Sequence, residues 1–142
     1  MNECSVAVFF YGLFMDESLI RSKGIQPLRT AFGFVDGYRL RIGARATLEV
    51  EASGRVYGVL MSISREELAK LYSYDTVADY VPEKVSVTLA NGATESAVCY
   101  LLPPGKLQGT NSAYADSLLQ LATRLGFPED YLARIWTEGN PG

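Results

Sequence analysis

A nearly continuous run of apolar residues near the start of the chain constrains the fold more than any other segment. Ser5 to Tyr11 reads Ser-Val-Ala-Val-Phe-Phe-Tyr and is rich in residues that favour strands. Because polar residues do not alternate with apolar ones, this strand needs cover on both faces, as in the centre of a sheet. Gly12 ends the run, and Asp16 then predicts the N-cap of a short helix that stops at Gly24.

Six further segments have the composition of strands. Turn residues separate them: Asp36-Gly37 and Ser53-Gly54 lie among the first four, and Asn91-Gly92 between the last two is a strong hairpin signal. The predicted strands are Leu28–Val35, Tyr38–Ile42, Ala46–Glu51, Arg55–Ile63, Glu83–Leu89 and Glu95–Leu102. The middle of the chain is therefore expected to supply most of a β core.

Helices are expected between the two groups of strands and at the end of the chain. Ser64 and Glu67 have the spacing of a capping box, in which each residue satisfies a backbone N–H of the other. The predicted helices run from Ser64 to about Tyr74, from Asn111 or Ser112 to Leu125, and from Pro128 through Trp136. Gly126 separates the last two helices.

The length and the order of these elements predict one domain over residues 1–142. Its fold class is α+β, with a mainly β core that is curled or closed. No run of about 18 apolar residues and no signal-peptide pattern is present, so we expect a cytoplasmic protein that does not enter the membrane. The net charge is −3 and the basic residues are scattered, which disfavours nucleic acid as a partner.

The absence of histidine limits the chemistry of this chain. It excludes serine–histidine and cysteine–histidine nucleophiles, and also zinc sites built on histidine. Cys4 and Cys99 are far apart in sequence, and we interpret them as buried free thiols rather than as a disulfide or a metal pair. Acid–base catalysis must then come from carboxylate, tyrosine, lysine or cysteine.

The glycine turn after the first strand is the candidate floor of a small-molecule site. A strand that ends at Gly12 before a helix presents backbone N–H groups, which can bind an anion or a developing oxyanion. Leu13, Phe14 and Met15 suit the wall of a pocket, although they could equally fill the core. An ordinary connection between a strand and a helix is the alternative interpretation.

Asp75 is the candidate general base. It follows the predicted helix at the end where the macrodipole is negative, so its charge does not stabilise that helix. The tyrosines around it would shield the carboxylate from water, although an aspartate in an ordinary turn is the alternative. Among the other tyrosines, Tyr11 and Tyr100 are candidates to line a cavity because each lies on a predicted core strand, and Tyr114 is a weaker third.

Four pieces of the sequence, taken in order, are similar to one known family. They are Val8–Met15 with its Tyr-Gly loop, Val56–Leu60 with its Val-X-Gly-X-Leu pattern, Leu68–Val85 with its acidic residue and tyrosine, and Asn111–Ile135. The chain resembles the gamma-glutamyl cyclotransferase-like proteins, including their avirulence-induced-gene-like branch. The resemblance extends over nearly the whole chain.

This resemblance implies a small β-barrel-like α+β fold with a central cavity and flanking and C-terminal helices. It also implies a reaction in which the α-amine of a gamma-glutamyl group attacks its own gamma-carbonyl and releases 5-oxoproline. A carboxylate carries the protons, Tyr-Gly loop amides hold the substrate, and neither a metal nor a cofactor takes part. The implied partner is a small gamma-glutamyl molecule, and a homodimer is left open.

Carried over to this chain, the resemblance gives Asp75 the place of the family's catalytic glutamate. The substrate-binding candidates are Tyr11, Gly12, Leu13, Phe14, Met15, Tyr100 and Tyr114. Aspartate is shorter than glutamate by one carbon–carbon bond, about 1.5 Å. Some cyclotransferases have the loop sequence Tyr-Gly-Ser-Asn-Leu, and the loop of this chain lacks those polar side chains. The leading hypothesis is a cyclotransferase-type enzyme, a transferase or lyase in reaction type. The alternative is a binding or interaction module of the same fold with little or no such activity.

Overall fold

The strands of this protein close into a barrel around its apolar core. The computed structural model describes residues 5–73, 77–103 and 105–139. Within these residues the strands are β1 (Ser5–Phe10), β2 (Arg29–Ile42), β3 (Ala46–Ser64), β4 (Val81–Leu89) and β5 (Thr94–Leu101). Their order around the barrel is β1-β3-β2-β4-β5, with β5 returning to β1. The predicted α+β fold with a barrel-like core is confirmed.

The first strand has neighbours on both sides, as its composition predicts. β1 pairs antiparallel with β3 along its whole length, from Ser5 opposite Ser64 to Phe10 opposite Val59, and meets β5 in parallel at Val8. The second half of β1, from Val8 to Phe10, is almost fully buried. This strand therefore fixes the place from which the glycine turn departs.

Two long strands replace the four expected between residues 28 and 63. β2 and β3 pair antiparallel along almost their whole length, so the chain reverses once between them, at residues 43–45. The turns expected at Asp36-Gly37 and Ser53-Gly54 are wrong, because both dipeptides lie inside strands.

The two glycine dipeptides instead lie opposite each other in an irregular part of the hairpin. The register shifts between Asp36 and Tyr38, where residues 51–54 of β3 lie opposite Gly37. Gly37 has a φ of +91°, in the left-handed region that glycine adopts most easily. Bulges and tight turns both favour glycine because it adopts a positive φ without steric cost, so local sequence does not distinguish them.

The β4–β5 hairpin has the turn that Asn91-Gly92 predicts. The Asn91 side chain accepts a hydrogen bond from the Ala93 N–H at 3.0 Å, and Gly92 has a φ of +88°. Between β2 and β4 the barrel closes through a short contact, in which Gly33 lies opposite Leu89 and Phe34 opposite Thr88.

The helices begin at the capping residues that the sequence indicates. Side chains of Asp16, Ser64 and Asn111 each accept a hydrogen bond from a backbone N–H of the first helical turn. The helices are α1 (Glu17–Ser22), α2 (Arg65–Leu71), α3 (Ser112–Leu125) and α4 (Glu129–Gly139), and a 3-10 turn covers Leu13–Met15. α2 ends three residues earlier than expected. None of the helices in the described ranges has the length and apolar character needed to span a membrane.

The C-terminal helices complete the core from outside the barrel. α3 and α4 pack against each other, α4 also contacts β2, and α3 reaches the 3-10 turn. Leu118 of α3 and Ile135 of α4 are fully buried. Cys99 is a buried free thiol, as expected, while Cys4 lies outside the described residues.

Replacing Gly58 by alanine should destabilise the protein strongly. Its Cβ would overlap the Phe10 carbonyl oxygen and the Phe9 ring, so two paired main chains would have to separate. We expect Gly58→Ala to cost about 3 kcal/mol in the free energy of unfolding, measured with urea. Gly92→Ala is the control: its Cβ meets nothing within 4 Å, and its left-handed backbone should cost roughly 1 kcal/mol. Equal losses in the two variants would contradict the close approach of β1 and β3.

Candidate functional site

A cavity of about 350 Å³ lies where β1 runs into the glycine turn. Among the binding residues indicated by the sequence, those that line it are Tyr11, Gly12, Leu13, Phe14, Tyr100 and Tyr114. Met15 does not line the cavity: its side chain is 3% exposed and belongs to the core. For Met15, the alternative of filling the core is the one that the structure supports.

The loop after β1 is a single 3-10 turn that uses some of its own amides. The Met15 N–H donates to the Gly12 carbonyl and the Asp16 N–H to the Leu13 carbonyl, both at 3.0 Å. The Leu13 N–H donates to the Tyr114 hydroxyl oxygen at 3.4 Å. Among the described residues the N–H groups of Gly12 and Phe14 have no hydrogen-bond partner. The turn therefore leaves main-chain donors available at the cavity.

Tyr114 reaches this turn from the first turn of α3. Its own N–H donates to the Asn111 side chain at 2.9 Å, and the Asn111 amide group donates to the Ala44 carbonyl at 3.1 Å. A Cβ on Gly12 would lie 2.5 Å from the Tyr114 hydroxyl oxygen. Glycine is needed at residue 12 because the tyrosine occupies the space of a side chain.

Tyr11 ties the end of β1 to the end of β5. Its ring is buried, and its hydroxyl donates to the Tyr100 carbonyl at 2.7 Å. Since this donor is already used inside the protein, Tyr11 shapes the cavity and holds the two strand ends together.

Aromatic rings form one continuous wall of the cavity. Tyr72 and Tyr100 are stacked with ring centres 3.8 Å apart. Phe14 meets the edge of Tyr72 at 6.1 Å and of Phe10 at 5.8 Å, and Tyr80 lies 6.3 Å from Tyr72. Tyr72 and Tyr80 were not among the binding residues expected from the sequence. Their closeness to Asp75 in sequence was the available signal that they share a site.

Two cationic side chains, Lys23 and Arg45, also line the described part of the cavity. Arg45 lies in the reversal between β2 and β3 and donates two hydrogen bonds to the Asp79 carboxylate, at 2.7 and 2.9 Å. These bonds lower the pKa of Asp79 below its usual range. No sequence pattern predicts that these two side chains reach the cavity, because the β2–β3 hairpin brings Arg45 there and α1 brings Lys23.

Asp75 lies outside the described residues, as do the residues on either side of it. The nearest described lining residues in sequence are Tyr72 before it and Val77 after it, and both border the cavity.

Burial keeps the cavity tyrosines protonated. It raises the pKa of Tyr114 to about 12 and the pKa values of Tyr11 and Tyr72 well above the usual value. The pKa of Tyr80 is also raised, mainly by burial. At neutral pH these hydroxyls can donate hydrogen bonds, but they are poor general bases.

Comparison with known proteins places this site in a family. The model of the family described as "Gamma-glutamyl cyclotransferase, AIG2-like" matches residues 8–118, which is most of the chain. The protein belongs to this family. The match includes the second half of β1, the Tyr-Gly turn, the reversal between β2 and β3 that carries Arg45, and the first half of α3. No curated protein sequence matches the chain.

Solved structures share the fold of this protein at low sequence identity. An uncharacterized human protein is 19% identical with a TM-score of 0.74; the match covers 94% of this chain and 87% of the human one. A gamma-glutamyl cyclotransferase is 17% identical with a TM-score of 0.73, over 92% of this chain and 86% of that one. A yeast gamma-glutamyl cyclotransferase specific to glutathione is 13% identical with a TM-score of 0.67, over 97% and 96%.

The contact between Tyr114 and Gly12 predicts a non-additive pair of substitutions. Gly12→Ala should cost about 2 kcal/mol of stability because the new methyl group meets the Tyr114 hydroxyl. In a Tyr114→Phe background the hydroxyl is absent, and the next ring atom would lie 3.9 Å from the methyl group. The same substitution should then cost less than about 0.5 kcal/mol. Thermal or urea unfolding of the four proteins measures this, and strictly additive losses would contradict the contact.

The buried tyrosines predict a loss of stability at alkaline pH. Their pKa values are higher in the fold than in the unfolded chain, so their contribution is complete below about pH 10. It should be lost as the pH rises from about 10 towards the folded value of about 12 for Tyr114. Urea unfolding at about pH 8, 10 and 11 measures the slope, which should be smaller in Tyr114→Phe. A pH-independent free energy of unfolding over this interval would contradict the burial of these hydroxyls.

Proposed function

We propose that this member of the family is a cyclotransferase-type enzyme that releases 5-oxoproline from a gamma-glutamyl amine or amino acid. The observation that carries the proposal is the cavity at the Tyr-Gly turn, which is lined both by Gly12 and Phe14, whose N–H groups have no partner among the described residues, and by protonated tyrosines. Asp75 is the proposed general base, in the place of the glutamate that the family uses.

The reaction needs only proton transfer and one exchange of bonds at carbon. The α-nitrogen of the substrate attacks the gamma-carbonyl carbon and forms the lactam bond, and the bond from that carbon to the leaving nitrogen breaks. Two protons leave the attacking ammonium, and the leaving nitrogen gains two and departs as an ammonium. Asp75 is proposed to take protons from the first nitrogen and deliver them to the second.

The main chain of the turn is proposed to stabilise charge during this reaction. The N–H groups of Gly12 and Phe14, with the Tyr114 hydroxyl, would hold the substrate carboxylate or the oxyanion that forms at the gamma-carbonyl. One such donor is typically worth about 100-fold to 1000-fold in kcat. This arrangement does not need polar side chains at residues 13 and 14.

The choice of Asp75 rests on what else lines the cavity. The charged side chains in the described part of the lining are cations, and the tyrosines are held protonated. Asp75 stands in sequence between Tyr72 and Val77, which both border the cavity. Because aspartate is about 1.5 Å shorter than glutamate, the proposal requires either a closer main chain or one bridging water.

A second candidate is a small-molecule-binding module without cyclotransferase activity. The observation that favours it is the loop itself, since Leu13 and Phe14 present apolar side chains where polar ones could meet a glutamyl group. Such a module would bind gamma-glutamyl compounds or less polar ligands without turning them over.

Substitution of Asp75 distinguishes the two candidates. We expect purified protein to form 5-oxoproline from gamma-glutamyl amino acids or amines, and Asp75→Asn to lower kcat by about 100-fold or more. Asp75→Glu should retain activity or increase it, because it restores the length of the family's acid. Asp116→Asn, on the exposed face of α3, is the matched control and should not change the rate. Equal rates for wild type and Asp75→Asn, or no product from any substrate, would overturn the enzyme proposal.

A further inference from the structure

Part of the cavity wall is apolar and only half-buried. Leu13 and Phe14 of the 3-10 turn, Leu19 of α1 and Val77 all line the cavity and keep intermediate exposure. Met15 of the same turn differs from them, because its side chain is buried in the core. The three leucine and phenylalanine side chains therefore present apolar surface to whatever occupies the cavity.

The two chemical characters of the site come from different atoms of the same loop. The loop supplies main-chain N–H groups as hydrogen-bond donors, which the Tyr114 hydroxyl of α3 supplements, whereas the loop side chains that line the cavity, Leu13 and Phe14, are apolar. Phe14 is held edge-on between Phe10 and Tyr72, so its orientation is fixed by packing. A ligand that fits both characters has a charged or polar end and a large apolar end.

We propose that the leaving group of the substrate is an amino acid with a large apolar or aromatic side chain. This rests on the proposed function: the glutamyl part would bind the main-chain donors, and the leaving side chain would cover Leu13, Phe14 and Leu19. Burial of apolar surface on both partners supplies the preference.

Other leaving groups fit the described lining less well. Glycine or alanine would leave the apolar wall in contact with water. A cationic side chain, such as that of a lysine joined through its α-nitrogen, is attracted by aromatic rings, but the charged side chains of the described lining are the cations Lys23 and Arg45. The described lining therefore offers such an ammonium no carboxylate partner.

The test is a panel of four substrates with matched variants. The substrates are gamma-glutamyl-phenylalanine, gamma-glutamyl-leucine, gamma-glutamyl-alanine and gamma-glutamyl-lysine joined through the α-nitrogen of lysine, which leaves the lysine side-chain ammonium free. We expect kcat/KM for 5-oxoproline release to be about tenfold or more higher for the first two than for the last two. Equal values across the panel, or the reverse order, would overturn the inference and leave the proposed function standing.

Variants assign the preference to the apolar wall. Phe14→Ser should lower the ratio of kcat/KM for the phenylalanine substrate to kcat/KM for the alanine substrate by about tenfold. If Phe14→Ser does not fold, Leu19→Ser, on a short surface helix, should lower the same ratio. Phe32→Ser is the matched control, because Phe32 is 47% exposed and lies outside the cavity. An unchanged ratio in both cavity variants would contradict the assignment.

A binding measurement separates this inference from the proposed function. If no substrate is turned over, titration calorimetry of the same four compounds with the wild-type protein and with Asp75→Asn still reports the preference. Tighter binding of the phenylalanine and leucine compounds supports the apolar subsite even without catalysis. Equal affinities, or no binding by any of the four, would overturn it.

Discussion

The position of Gly12 is the constraint on which the rest of the site depends. β1 delivers this residue from between β3 and β5, and the Tyr11 hydroxyl, bonded to the Tyr100 carbonyl, holds the end of the strand in place. From the other side, Tyr114 occupies the space where a side chain on Gly12 would lie. Main-chain donors can act on a ligand only if they are held this firmly, because a loop that moved would lose the alignment.

Elements far apart in sequence cooperate in holding Tyr114. The reversal between β2 and β3 bonds to the segment before α3 through the Ala44 N–H and the Gln108 carbonyl, at 2.7 Å, and Asn111 returns a bond to Ala44. The same reversal carries Arg45 to the cavity. One tight connection therefore places both a cation and, through the cap of α3, a tyrosine at the site.

Local chemistry could be predicted from the sequence, whereas long-range register could not. The caps at Asp16, Ser64 and Asn111 depend on a few neighbouring residues, and each lies where its side chain indicates. Gly37 and Gly54 have the same local chemistry as a turn, and only the pairing of β2 with β3 makes them part of a bulge. Arg45 reaches the cavity for the same reason, so no periodicity in the sequence could reveal it. That the Tyr-Gly turn borders a cavity was predictable because its signal, a buried strand ending in glycine, is local.

In the proposed reaction the main chain of the turn stabilises charge, whereas the side chains of the turn contact the leaving group. In the proposed reaction the N–H groups of Gly12 and Phe14 stabilise charge, and their positions depend on Tyr114 and on the turn rather than on the identity of residues 13 and 14. The Leu13 and Phe14 side chains are then free to match the leaving group. A fold arranged in this way can change its substrate preference by substitutions in the loop without displacing the donors that the chemistry requires. This protein fits that description. Leu13 and Phe14 give the cavity an apolar wall, while Gly12 and Tyr114, which fix the main chain of the turn, are both present.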